Sequence, residues 1–241
     1  GKVYKPIIAI KANSSIFSKM IKYKKIKNIK WERWSNSCRK NYIEYSTPPK
    51  YSSEPDMGKI MLILREYMPK NTIITIDAGN FSGWIQRFWK YTQVKTQLAP
   101  TSGAMGYSIP AAISAKIAKK STPVIAFCGD GGFMMSSQEL ATCNQYKIKP
   151  IIIIINNKML GTIRMHQEKH YPKRKIATDL VNPDFKVLSK SYNAHYENIK
   201  NHKQFLKALK RSIAANKAAV IEIEVDPQQI TTRQKMKDLN Q

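Results

Sequence analysis

The chain has 241 residues, and at 42% hydrophobic it can build a real core, which excludes a disordered polymer. No apolar run reaches the roughly 18 residues of a membrane span, and Cys38, Cys128 and Cys143, an odd number without CxxC spacing, speak against a disulfide frame or zinc ribbon and for reduced thiols in the cytoplasm. The formal charge of +25 would suit a nucleic-acid surface, but Lys outnumbers Arg roughly four to one and is spread along the chain, so nucleic-acid binding is the remote reading.

In chain order, Val3–Ile10 reads as a strand, with no small-residue cleavage site after it, and Ser14–Ile26 as an amphipathic, lysine-rich helix. An aromatic-rich helical stretch follows, then a Pro/Ser linker over 47–55. Asp56 is placed to cap a helix running to Tyr67, and Thr72–Ile76 is a strand ending in Asp77-Ala-Gly-Asn80. Thr101–Ala118 is a Gly/Ser turn leading into a helix of small residues, tolerating Pro110 if it lies in the first turn. Val124–Cys128 is a strand, and Ser136 with Glu139 reads as a capping box that starts the next helix. The five isoleucines 151–155, without alternation, suit a strand covered on both faces, as in the middle of a parallel sheet. Asn182-Pro-Asp184 caps a helix through Tyr192. A strand at His195–Glu197, a helix at Asn201–Ala215 and a strand at Ala219–Val225 close the unit, and 228–241 read as a polar tail. His166 and His170 could share a helix face, but without HExxH or a carboxylate partner they read as solvated. The fold class is α/β: an open, mostly parallel sheet with helices on both faces.

Chemistry concentrates at Gly129-Asp130-Gly131-Gly132 and Asn156-Asn157, with residues 133–155 between them. One helical crossover fits that interval, so Asp130 and Asn157 sit just beyond the carboxyl ends of adjacent parallel strands, where open α/β sheets bind ligands. A carboxylate and an amide oxygen are hard-metal ligands of the kind magnesium takes together with phosphate oxygens. The glycines let the backbone approach a bulky anion, and the helix after them offers N–H groups to a phosphate.

GDG and NN at this spacing resemble the thiamin diphosphate (ThDP) signature of the acetolactate synthase and 2-oxo acid decarboxylase superfamily. Asp77-Ala-Gly-Asn80 with Phe81-Ser-Gly-Trp84, the block Ala99–Ile113, and Gly161–Tyr171 resemble further blocks of that family in the right order, so the likeness spans about Asp56 to Pro227. The resemblance implies Mg²⁺ held by Asp130, Asn157 and the carbonyl of Met159. It implies cofactor contacts from Gly79, Asn80 and Phe81, from Gly129 to Gly132, and from Leu160 and Gly161. It implies further that the Gly103 carbonyl accepts a hydrogen bond from the aminopyrimidine, and that Met105 props the cofactor into its bent conformation. Phe81 departs from the polar residues usual at its position.

The implied activity is decarboxylation of a 2-oxo acid such as pyruvate, followed by carboligation, as in branched-chain amino acid biosynthesis; the alternatives are a simple decarboxylase or an inactive fragment. No catalytic residue is assigned in this chain. The activating glutamate is expected on a separate pyrimidine-binding domain or subunit, in a homodimer or tetramer. On that reading residues 1–46 are the incomplete end of a central domain, 56–227 form the ThDP-binding domain, and the chain alone is inactive.

Overall fold

The computed structural model describes residues 1–22, 24 and 28–239, in two compact units, 1–44 and 45–241. The first holds α1 (Ser14–Lys22) and nearly all of α2 (Glu32–Tyr45), neither with a buried residue. Val3–Ile10 is not the expected strand: the segment is irregular and exposed throughout. A strand needs a neighbour to take its backbone hydrogen bonds, and among the described residues none pairs with it. The helix expected to reach Ile26 is observed to Lys22; Tyr23, Lys25 and Ile26 lie outside the described residues.

The second unit is a six-stranded, all-parallel sheet, its strands ordered β2-β1-β3-β4-β6-β5. The strands are β1 (Ile73–Ile76), β2 (Gln97–Leu98), β3 (Val124–Gly129), β4 (Ile151–Asn156), β5 (His195–Ile199) and β6 (Ala219–Glu224). Parallel neighbours require crossovers, and these are helical. On one face α3 (Met57–Tyr67), α4 (Ser82–Phe88) and α10 (Phe205–Ala214) cover Ile74, Ile125, Ile153, Ile155 and Ile221. On the other, α5 (Ser108–Ala118), α6 (Asp130–Ser136), α7 (Leu140–Tyr146) and α9 (Phe185–Ser191) cover Ile73, Val124, Ala126, Ile152 and Val220. Successive side chains of a strand point to opposite faces, so the isoleucine run of β4 feeds both layers at once. Each fully buried isoleucine contributes on the order of 2 kcal/mol, which anchors the central strand. A further helix, α8 (Gly161–His170), follows β4 directly.

One local expectation is corrected. The crossover helix does not start at Ser136. Gly129 is the N-cap and α6 begins at Asp130, so the helix is already running when it reaches Ser136 and passes through a 3₁₀ turn (137–139) into α7. Ser136 makes no capping bond, its hydroxyl is buried without a partner, and Glu139 accepts from Thr142 Oγ1 instead. Within the polar stretch 228–239, two positions are held against the domain. Ile230 is buried, and the Thr232 carbonyl accepts from Tyr51 Oη and Arg87 Nη1.

Candidate functional site

The all-parallel sheet brings the carboxyl ends of β1, β3 and β4 side by side. Ile76 pairs with Phe127 and Gly129 with Ile155, so the residues that follow each strand emerge together. Four segments meet there: the turn after β1, the loop 101–107 before α5, the start of α6, and the turn from β4 into α8.

Asp77, one residue past β1, pins the first two together. Its buried carboxyl accepts from Gly106 N (2.9 Å) and Ser108 N (2.5 Å), while Ala78 N donates to Ala104 O (3.1 Å) and Thr75 Oγ1 to Ser108 O (2.7 Å). Burial pushes the Asp77 carboxyl above its ordinary range, and the backbone N–H bonds from Ser108 and Gly106 oppose this. Gly106, at φ +77°, takes the left-handed conformation that this hairpin of the loop requires. Across the cleft, Asn80 N donates to Thr162 Oγ1 (2.9 Å) and Thr162 Oγ1 to Asn80 Oδ1 (3.1 Å), tying the turn after β1 to the first turn of α8.

The resulting cleft encloses about 1030 Å³ of space, the solvent at its open mouth included. The residues that the resemblance assigned to the cofactor and metal lie on its wall: Gly79, Asn80 and Phe81 after β1, Gly103 and Met105 on the loop, Gly129 to Gly132 at the head of α6, and Asn157, Met159, Leu160 and Gly161 after β4. The glycines leave space that other residues would fill. A Cβ at Gly131 would sit 3.0 Å from Leu160 Cδ2 and 3.2 Å from Met105 Cε, and one at Gly103 would meet nothing within 4 Å.

Asp130 is 1% exposed at the floor. Its Oδ2 accepts from Asn182 Nδ2 at 2.7 Å; burial raises its pKa, opposed first by the Asn182 bond and then by backbone N–H groups. Asn157 Oδ1 accepts from Met159 N at 3.2 Å. Among the described residues no cluster of three His, Cys, Asp or Glu could bind a metal by itself. The set available here is different in kind: one carboxyl, one amide oxygen and one backbone carbonyl at adjacent strand ends, beside a glycine-lined space. Such an all-oxygen, incomplete set fits Mg²⁺, which keeps positions for phosphate oxygens and water. His166 and His170 stack on α8 with ring centroids 6.1 Å apart, outside the cleft lining.

Sequence reasoning missed several contributors. Ser53, Pro55 and Met57 line the cleft from the linker and α3, and Asp226, Gln229 and Ile230 from the chain after β6. Thr162 and Asn182 join it through contacts across 82 and 52 residues, for which no local pattern exists. For Asp77 a signal was present: a carboxylate directly after a strand and before a Gly-rich loop.

Comparison with known proteins places these residues in context. Residues 77–223 match the family described as "Thiamine pyrophosphate enzyme, C-terminal TPP binding domain". The chain is 39% identical over 160 residues to the probable acetolactate synthase large subunit of Methanocaldococcus jannaschii, covering 66% of this chain and 27% of that protein. It is 32% identical to the probable large subunit of Methanococcus aeolicus (82% of this chain, 34% of that one) and 31% to the acetolactate synthase large subunit of Lactococcus lactis (87% and 37%). The chain thus spans about a third of the length of these curated relatives.

Proposed function

We propose that this chain, which belongs to the family of C-terminal TPP-binding domains of thiamine pyrophosphate enzymes, holds the diphosphate end of ThDP through Mg²⁺ in the cleft at the β1, β3 and β4 tips. It does so as the diphosphate-binding part of an acetolactate synthase-like enzyme acting on 2-oxo acids such as pyruvate. The observation that carries the reading is the buried Asp130 carboxyl at the floor of a glycine-walled cleft, one strand away from Asn157.

Asp130, Asn157 Oδ1 and the Met159 carbonyl hold the metal, with Asn157 giving up its bond from Met159 N. Gly129 to Gly132 and Gly79 to Phe81 lie against the diphosphate. The Gly103 carbonyl accepts from the aminopyrimidine, and Met105, 37% exposed on the cleft wall, supports the bend of the cofactor. Bound ThDP supplies the electron sink for decarboxylation and carbon–carbon bond formation, while the protein supplies position and electrostatics. The names of the relatives favour carboligation over simple decarboxylation.

Activation of the cofactor falls to a glutamate outside this chain. Asp130 and Asp226 are the only acidic residues in the cleft lining among the described residues, and Asp130 is committed to the metal. A pyrimidine-binding domain, from a second subunit of a dimer or tetramer, closes the cleft and provides that glutamate. Titration calorimetry tests the binding half: ThDP binds the purified chain only with Mg²⁺, and Asp130→Ala abolishes it. Binding that ignores Mg²⁺ or survives Asp130→Ala contradicts the assignment. Turnover of pyruvate by the chain alone contradicts the need for a partner domain.

A further inference from the structure

The two adjacent asparagines at the end of β4 face different surroundings. Asn157 lines the cleft. Asn156 is 5% exposed and is bonded on every side: its Nδ2 donates to Glu222 Oε1 on β6 (2.6 Å), and its Oδ1 accepts from Lys158 N (3.0 Å) and Asn182 Nδ2 (3.2 Å). Asn182 Nδ2 also donates to Asp130 Oδ2 (2.7 Å). Glu222 is itself buried and accepts from Tyr196 Oη on its second oxygen.

The direction of each bond follows from the ends of this chain of contacts. An asparagine amide has a donor end and an acceptor end of nearly equal shape, so its neighbours decide which way it points. Glu222 offers Asn156 an acceptor, so Asn156 must turn its NH₂ toward β6. Its oxygen is then left facing Lys158 N and closes the turn 156–159. Lys158 sits in that turn at φ +56°, a left-handed conformation that costs a non-glycine residue about 1 kcal/mol or more and needs a holder. Asn182 meets acceptors on both sides, Asn156 Oδ1 and Asp130 Oδ2, and so must present its NH₂ to them.

We propose that Glu222 and Asn182 are positioning residues for the metal-holding oxygens: Glu222, through the amide of Asn156, sets the turn that carries Asn157 and Met159, and Asn182 sets the Asp130 carboxyl. The inference rests on the Mg²⁺–ThDP reading of the cleft and goes beyond it, because neither Glu222 nor Asn182 is itself part of the cleft lining.

Electron paramagnetic resonance of Mn²⁺ in the presence of ThDP tests it on the full chain, alongside amide hydrogen exchange. Residues that orient metal ligands typically contribute about 10–100-fold in affinity. Glu222→Leu is expected to weaken Mn²⁺ by about that much and to speed exchange at the Lys158 amide while leaving Ile153, in the centre of β4, protected. Glu222→Gln keeps an acceptor oxygen for Asn156 and is expected to restore both. Asn182→Ala weakens Mn²⁺ with Lys158 still protected. Wild-type affinity in Glu222→Leu, or weakened affinity without faster Lys158 exchange, overturns the role of Glu222. If Glu222→Leu does not fold, Asn182→Ala, at a partly exposed loop position, decides, and wild-type affinity there overturns the proposal. Asp130→Ala separates the layers: if it too binds Mn²⁺ like wild type, the cleft reading itself fails.

Discussion

The two halves of the sheet's carboxyl edge are built from similar residues and come out differently. At the β4, β6 and β5 tips, carboxyls are consumed by their own neighbours: Glu222 by Asn156 and Tyr196, and Glu224 by Asn198 Nδ2 (2.8 Å) and Lys200 Nζ (3.5 Å). At the β1, β3 and β4 tips, Asp130 has a single side-chain partner among the described residues, Asn182, and the chain around it is glycine. A buried carboxyl at a strand end is therefore not in itself a site. The open half differs because its backbone leaves space beside the carboxyl, while the filled half holds the frame. The boundary runs between Asn156 and Asn157.

Substitutions can break that contrast, and the largest effect belongs to Gly132→Ala. Its Cβ would lie 2.4 Å from Asp77 Oδ2, and Asp77 cannot yield without releasing Gly106 and Ser108. A loss of about 1–3 kcal/mol in urea unfolding is expected, and an unchanged midpoint would show that Asp77 is not the clamp. Gly131→Ala meets only the side-chain ends of Leu160, Met105 and Leu180, so the fold survives while the cleft narrows. ThDP affinity should drop by about tenfold, or ~1.4 kcal/mol, with a near-native melting temperature. Thr162→Val removes the cross-cleft bonds to Asn80, and since one neutral hydrogen bond contributes about 1 kcal/mol net, a severalfold loss in ThDP affinity is the expected calorimetric result.

The smallest effect lies in the filled half and depends on pH. Hydrogen bonds from Arg211 to Glu197 hold that carboxyl below its ordinary range; burial opposes this, and His195 adds to it. A carboxyl with a lower pKa folded than unfolded stabilises above its unfolded pKa, and that stability is lost as pH falls through the folded value. Glu197→Gln should accordingly melt below wild type near neutrality, with the gap closing in acid. A gap that ignores pH would assign the effect to packing.

Much of this was legible in the order of residues, for reasons of period and spacing. The unbroken isoleucines announce a strand covered on both faces, and the glycines around Asp130 together with Asn156-Asn157 mark adjacent strand ends. Together with the positions that the family resemblance implied, thirteen named residues line one cleft. Local patterns failed where the deciding contact was distant or missing. Ser136 and Glu139 have the spacing of a capping box, but the helix had already begun at Asp130. Val3–Ile10 has the composition of a strand without a neighbour to pair with among the described residues. Asn182 and Glu222 look like ordinary polar positions until the sheet sets them beside Asp130 and Asn156.

The central claim is that a dication and a diphosphate share the open half of the edge. Paramagnetic broadening by Mn²⁺, added with ThDP to isotope-labelled protein, locates the ion directly. The amide signals of Gly131, Gly132 and Met159 are expected to disappear first while those at the β5 tip, Ile199 to Asn201, persist. Broadening centred instead on Glu222, Glu224 and the β5 tip would contradict it.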